Sequence, residues 1–263
     1  MKTYNDPQLT DLVQQQLGLH GLSEGPLSPE KIFTMDQFHL GGPAPLMDLL
    51  SRNPLPDEAS VLDLGSGFGG ISRLVASQST ARILGIDQEA KYVEIARSLT
   101  KRCQLDDRIQ FRQGDIASTD FENSAYDAAF LAHVQMNIAC KADLFTNIHK
   151  ALKPGAPLFL WEVFSHTPDT LHYPLPWALS DDESHVVSAD VARADLEAAG
   201  FTITSWEDKT DWVKSWALEI RDKGVPPGPF LGAIIPRGKE RLGNVGTALL
   251  SDKITVIAGV VHA

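Results

Sequence analysis

Ten residues, VLDLGSGFGG at Val61–Gly70, constrain the fold of this chain more than any other stretch. An apolar run broken only by an aspartate turns through glycines into a helical pattern, which reads as strand, tight turn and helix. Gly65, Gly67 and Gly70 have the spacing of a dinucleotide-binding loop. Such glycines let the chain turn sharply and let a ligand press against bare backbone. The same spacing also suits a tight strand-to-helix turn that binds nothing. Asp63, two residues before the first glycine, breaks the analogy, because a pyrophosphate there would feel its charge.

The pattern around this turn repeats. Strand-like apolar runs occur at 59–64, 82–86, 108–112, 126–132 and 156–163, with helical patterns at 69–78, 89–102 and 140–152. Alternating strands and helices predict βαβ units around a parallel sheet. Upstream, 8–17 reads as a helix, Pro26 and Pro29 interrupt the chain after it, 36–45 reads as a loop and 45–52 as a helix. Downstream, 164–187 holds three prolines and three histidines and reads as an inserted loop. A helix at 188–199, a strand at 201–208, helices at 211–223 and 236–250 and a strand at 253–263 complete seven strands. Residues 1–52 are therefore expected to form an N-terminal helical lid. Residues 53–263 should form a Rossmann-like α/β core with helices on both faces and lid insertions at about 164–187 and 210–250.

Hydrophobic residues make up 43% of 263, enough for a sizeable core, and the formal charge is −11. That charge excludes a nucleic-acid binder working through phosphates and leaves a small molecule as the expected partner. Cys103 and Cys140 have neither metal nor disulfide-framework spacing. The N-terminus lacks a signal-peptide core, and no run of about 18 apolar residues occurs. These features predict a soluble, cytoplasmic protein without membrane partners.

Asp87, 22 residues after Gly65, follows the second strand, where a carboxylate can accept both hydroxyls of a ribose or cap the helix at 89–102. Asp115 follows the third, as a ligand group or a plain turn residue. Together with Asp63 they lie at carboxyl ends of strands, the ligand edge of open α/β sheets. A ligand with an ammonium, a sulfonium, a ribose and an adenine suits them where a diphosphate does not, and S-adenosylmethionine is that ligand.

The stretches VLDLGSGFGG, GID, GDI and LKPGAPLFLWE resemble the successive motifs of class I S-adenosylmethionine-dependent methyltransferases. The similarity is strongest over residues 35–163 and to enzymes of the ubiquinone/menaquinone and sarcosine–dimethylglycine type. It implies a mostly parallel seven-stranded sheet with the last strand antiparallel. It implies that Gly65, Ser66 and Gly67 approach the methionine part of the cofactor, with Asp63 holding the ammonium directly or through water. Asp87 and Gln88 would hold the ribose, and Asp115 the adenine amine beside Ile116. DQFHLGG at 36–42 resembles the segment that folds over the cofactor, which brings Gln37 and His39 to the methionine end. A hydrophobic lid without ligand contact is the alternative.

For chemistry, His133 follows the fourth strand at a position facing both cofactor and substrate, and its ordinary pKa suits a general base. It could equally fix a loop. Gln135 and Asn137 could orient a polar acceptor or cap the next helix, and Glu162 ends the fifth strand at the same edge. His166, Tyr173 and Trp177 of the insertion could bind substrate, or its aromatics could simply pack the loop down. The histidines lack compact ligand spacing, so no metal is expected. The helices within 211–250 complete the lid or form a homodimer contact. The expected activity is methyl transfer to an O, N or C nucleophile of a small metabolite, of secondary-metabolite or quinone type. A cyclisation or pericyclic reaction by a cofactor-binding relative is the alternative, with non-catalytic cofactor binding and nicotinamide chemistry behind it.

Overall fold

Residues 6–263 are described by the computed structural model; the first five residues of the expected N-terminal lid lie outside the described residues. Ahead of the sheet run α1 (Leu9–Leu19), the single-turn α2 (Phe33–Asp36) and α3 (Ala44–Arg52). The alternating part comprises β1 (Ser60–Leu64), α4 (Gly70–Gln78), β2 (Arg82–Asp87), α5 (Ala90–Arg102), β3 (Ile109–Gln113), β4 (Ala128–Ala132), α6 (Lys141–Ala151) and β5 (Pro157–Phe164). The remainder is α7 (Ala189–Ala198), β6 (Thr202–Asp208), α8 (Thr210–Lys223), α9 (Gly238–Leu250) and β7 (Thr255–His262). Every strand and helix expected from sequence periodicity forms, with its boundaries within about two residues; only the short α2 has no counterpart in the periodicity.

The strands join in the order β3-β2-β1-β4-β5-β7-β6. The first five are parallel, and β7 inserts antiparallel between β5 and β6. Strand order reverses between β1 and β4, which leaves a crevice at their carboxyl ends where such sheets take ligands. Helices cover both faces, so central strands need no polar side: all five residues of β4, AAFLA, are buried, whereas edge strand β3 alternates. One face packs Leu49 of α3, Leu74 of α4, Val213 of α8 and Leu249 of α9. The other packs Phe145 and Ile148 of α6 and Leu196 of α7.

The N-terminal elements are tied to this core by burial and by one ion pair. Helix α1 has no side-chain cap at its start, but it sets Leu9, Val13 and Leu17 against Tyr92, Ile95 and Leu99 of α5. Three such side chains contribute about 1.5–3 kcal/mol each on burial, enough to dock a short helix without a cap. At the end of α2, Asp36 meets Arg73 of α4 at 2.7 Å, and neither side chain is exposed. Arg73 also donates to the Phe68 carbonyl and to Thr100 Oγ1, at 2.6 and 2.8 Å. Residues 37–42 thus leave from a fixed root and run as a strap over the crevice. Among the described residues no helix is long and apolar enough to cross a membrane.

Candidate functional site

The turn after β1 folds back on β2, with the Gly65 and Ser66 N–H groups donating to the Ile86 carbonyl at 2.8 and 2.9 Å. Gly65 sits at φ +74°, a region glycine enters without a Cβ penalty. A Cβ there would lie 2.5 Å from Val134 Cγ2. Gly65 therefore makes room for a side chain of the turn after β4. Asp87 Oδ2 accepts the Gly67 N–H and its Oδ1 the Glu89 N–H, both at 2.9 Å. Burial pushes its pKa up to about 6. Asp115 Oδ1 accepts the Ala117 N–H at 2.9 Å. Both acids make the plain turn bonds open to them, and both also line a cavity.

That cavity, about 860 Å³, lies over the switch point and falls in the range that holds a sizeable ligand. Gly65, Gly67, Asp87, Gln88, Asp115 and Ile116 wall one end, and Gln37 and His39 of the strap cover it. The other end is largely apolar, built by Trp216 and Ile220 of α8, Val245 and Leu249 of α9, and Pro227 and Phe230 between those helices, with Arg221 and Arg241 beside them. The α8–α9 pair thus stands on the cavity wall. From the 164–187 insertion only Pro176 and Trp177 reach the cavity, with Trp177 Nε1 donating to Ser184 Oγ at 3.0 Å. Asn137 is on the wall, its Nδ2 donating to the Val134 carbonyl at 3.1 Å.

Six expected site residues are not on that wall. Asp63 is buried behind the glycine turn, where Oδ2 accepts the backbone N–H and hydroxyl of Ser72 at 3.0 and 2.6 Å. Its Oδ1 has no partner, and burial pushes its pKa up to about 6. Ser66 is likewise buried in the turn, its hydroxyl unpartnered. Gln135 points under the sheet edge, Nε2 donating to the Val163 carbonyl at 2.7 Å. Glu162 accepts the Val134 and Gln135 N–H groups at 3.0 and 3.3 Å, beneath the turn after β4. His166 is exposed on the insertion, and Tyr173 donates to Asp181 at 3.3 Å. Direct contacts of these six with a ligand in the cavity are therefore set aside.

His133 lines the cavity, but the arrangement speaks against the expected general base. Its Nδ1 lies 2.9 Å from the Trp161 carbonyl, and its Nε2 is 3.2 Å from the Leu40 N–H. A carbonyl only accepts and a backbone N–H only donates, so the proton sits on Nδ1 and the Nε2 lone pair is taken. Burial pushes the ring's pKa down to about 3, and it stays neutral. Fixing a loop, its other expected role, is what its bonds do. Trp161 completes the clip, Nε1 donating to the Leu40 carbonyl at 2.8 Å. Both polar groups of Leu40 are thus fastened to the turn after β4 and to β5. Sequence reading missed Val134 and the Asp36–Arg73 pair, and only the strap motif itself pointed toward them.

Residues 61–155 match a family model described as a methyltransferase domain. The chain is 26% identical over 157 residues to the sterol 24-C-methyltransferase of Saccharomyces cerevisiae, which covers 57% of this chain and 41% of that one. It spans less than half the length of the curated sterol 24-C-methyltransferases it matches. Among solved structures it resembles the geranyl diphosphate C-methyltransferase of Streptomyces coelicolor A3(2), with a TM-score of 0.69, 14% identity and 98% of each chain covered. It also resembles the [4+2]-cyclase SpnF, with a TM-score of 0.66, 20% identity and 97% and 94% covered. Both are likenesses of fold.

Proposed function

We propose that the chain, whose residues 61–155 match a methyltransferase domain, is a class I S-adenosylmethionine-dependent enzyme that moves the cofactor's methyl group to a small, largely apolar organic acceptor. The observation that carries this reading is the sign of charge at the glycine-turn end of the cavity. Asp87 and Asp115 stand on the wall there, and Asp63 lies behind the turn with an unpartnered oxygen. The arginines among the described lining residues, Arg221 and Arg241, belong to α8 and α9 instead. A like charge about 4 Å from a carboxylate costs about 4 kcal/mol at a protein surface, which disfavours a pyrophosphate and favours a cationic nucleoside.

In this reading Asp87, with Gln88 beside it, accepts the ribose hydroxyls through lone pairs its turn bonds leave free. Asp115 accepts the adenine amine, and the apolar side of Ile116 faces the ring. Gly65, Gly67 and Gln37 surround the methionine end, and Asp63 acts through the turn it braces. When bound, the cofactor supplies an electrophilic methyl group on a sulfonium. The chain's own task is then to orient the acceptor and exclude water, which suits the enclosing strap and the apolar walls of α8 and α9. An apolar acceptor also accords with curated relatives named for sterols.

One observation favours a second reading. The residues of α8, α9 and the segment between them that line the chamber include no acid and no histidine, and a cyclisation needs little beyond an enclosing apolar wall. A single set of measurements separates the two. Calorimetry with S-adenosylhomocysteine tests the pocket, with a nicotinamide dinucleotide as control, and Asp87→Ala is expected to weaken binding by about 1.5–3 kcal/mol. Labelled S-adenosylmethionine incubated with a metabolite extract is expected to give labelled product and S-adenosylhomocysteine. Turnover without label transfer would mean the cyclisation reading, and binding of the dinucleotide alone would end both.

A further inference from the structure

Helix α9 carries two glycines that neither its backbone nor its packing requires. Gly243 and Gly246 stand in the interior of Gly238–Leu250, and neither has the positive φ that calls for glycine. A Cβ at either position would meet nothing within 4 Å. Glycine is the poorest helix former after proline, so alanine at both positions would give a firmer helix at no steric cost. Both glycines line the cavity.

Their place on the wall gives the missing side chains a meaning. Residues three or four apart share a helix face, so Leu242, Gly246 and Leu249 form one row on the cavity wall. Gly246 is the gap in that row. Beside it, Gly243, Thr247 and Leu250 form a second row that lines the cavity and is also exposed. Val225, just past the end of α8, does the same, and it and Leu250 are 42% and 41% exposed. Under the strap the wall is closed instead, with Gln37, His39 and Gly41 all buried. The cavity therefore runs from a covered end to an open apolar rim, and the gap in α9 lies along the way.

We propose that Gly246, with Gly243 beside it, determines acceptor specificity: the gap in α9 is a channel that carries the acceptor's apolar tail from the chamber to the protein surface. The acceptor is accordingly a long apolar molecule, a hydrocarbon chain or ring system. Its reacting end lies under the strap, and its far end reaches the rim at Val225 and Leu250. This rests on the methyl-transfer reading and narrows it to acceptors longer than the covered part of the chamber. The ground is continuous apolar burial. Each methylene taken out of water strengthens binding by up to about fourfold, so a tail laid along the channel adds affinity without any polar recognition. Exposed apolar side chains gathered at the mouth of a cavity are those a ligand covers when it binds.

The test uses the full chain saturated with S-adenosylhomocysteine and the 1-alkanols from hexanol to decanol, with affinities measured by calorimetry. In the native chain affinity is expected to rise about threefold with each methylene up to decanol. In Gly246→Leu decanol should bind about tenfold more weakly than in the native chain, with hexanol and S-adenosylhomocysteine changed less than about threefold. A native series that levels off at hexanol, or a loss in the variant no greater for decanol than for hexanol, overturns the proposal. A second variant, with Gly243→Ala and Gly246→Ala together, reads folding instead of binding. Its urea midpoint should be higher than that of the native chain; a lower one would mean that packing or backbone requires the glycines, and overturns the argument. Failure of the native chain to bind S-adenosylhomocysteine would sink the methyl-transfer reading, while the alcohol series measured without it still tests the channel, so the two failures are distinguishable.

Discussion

Glu162→Gln is expected to leave stability almost unchanged at pH 5 and to raise it at pH 7.5. Glu162 is 1% exposed, and its carboxyl group meets two backbone N–H groups. Lys141, a nearby cation, places its Nζ 2.6 Å from the Gln135 carbonyl and 2.8 Å from the His185 carbonyl. Burial therefore dominates and pushes the Glu162 pKa from 4.5 to about 8. The folded state keeps a proton that the unfolded chain releases near pH 4.5, so stability supplied by that proton drains away as the pH rises through about 8. Each pH unit inside the window is worth about 1.4 kcal/mol, which sets a ceiling of about 3 kcal/mol between pH 5 and 7.5. Local relaxation and water entry reduce the expected gain to about 1–2 kcal/mol. Glutamine keeps an accepting oxygen and cannot ionise. Asp36, Asp63 and Asp87, each pushed up to about 6 by burial, titrate in both proteins and cancel in the comparison. Lys141, pushed down to about 8 by burial, stays mostly protonated in the window. Urea midpoints at four pH values between 5 and 7.5 measure the difference. A difference constant to within about 0.5 kcal/mol would refute the claim that burial governs Glu162.

Two further substitutions probe the elements that hold the strap and the glycine turn. Gly65→Ala combines a left-handed backbone with a methyl group driven against Val134, and a loss of about 2–4 kcal/mol is expected; adding Val134→Ala should restore part of it, and strict additivity of the two losses would show that the predicted clash does not exist. Arg73→Met leaves Asp36 buried and unpaired, with an expected loss of about 3–5 kcal/mol by chemical denaturation; a loss under about 1 kcal/mol would mean that the pair does not anchor the strap.

How much the sequence disclosed depended on how local the signal was. Helices and strands announce themselves by period, and both central and edge strands obeyed it, because a strand covered on two faces can be as uniformly apolar as AAFLA. The acids at the ends of β2 and β3 were legible for the same reason, since their place is fixed by the strand before them. Glu162 was legible in position but not in direction. Trp161 and Glu162 are neighbours on β5, and successive side chains on a strand leave opposite faces. Trp161 packs with the α8–α9 side of the sheet while Glu162 turns beneath the β4 turn. His133 and Leu40 lie 93 positions apart, and no local pattern encodes such a contact. The α8–α9 pair showed apolar faces without showing what they cover, and only tertiary packing decides that.

Four of the strongly shifted groups stand together, whereas Asp36, Lys141 and Glu207 lie on other elements. Asp63, Asp87, His133 and Glu162 all lie at the carboxyl ends of β1, β2, β4 and β5, and in each case burial is the leading cause of the shift. Burying ionisable groups without full partners costs stability, so a fold selected for stability alone would not gather them at one edge. Their concentration at the switch point is the arrangement expected where a charged ligand completes the set. On that argument, saturating S-adenosylhomocysteine should stabilise the chain by more than the same ligand stabilises Asp87→Ala, and the excess should grow from pH 5 to pH 7. Ribose hydroxyls donating to Asp87 favour its ionised form, which burial resists. An excess independent of pH would detach the buried acids from ligand binding and leave them as features of the fold.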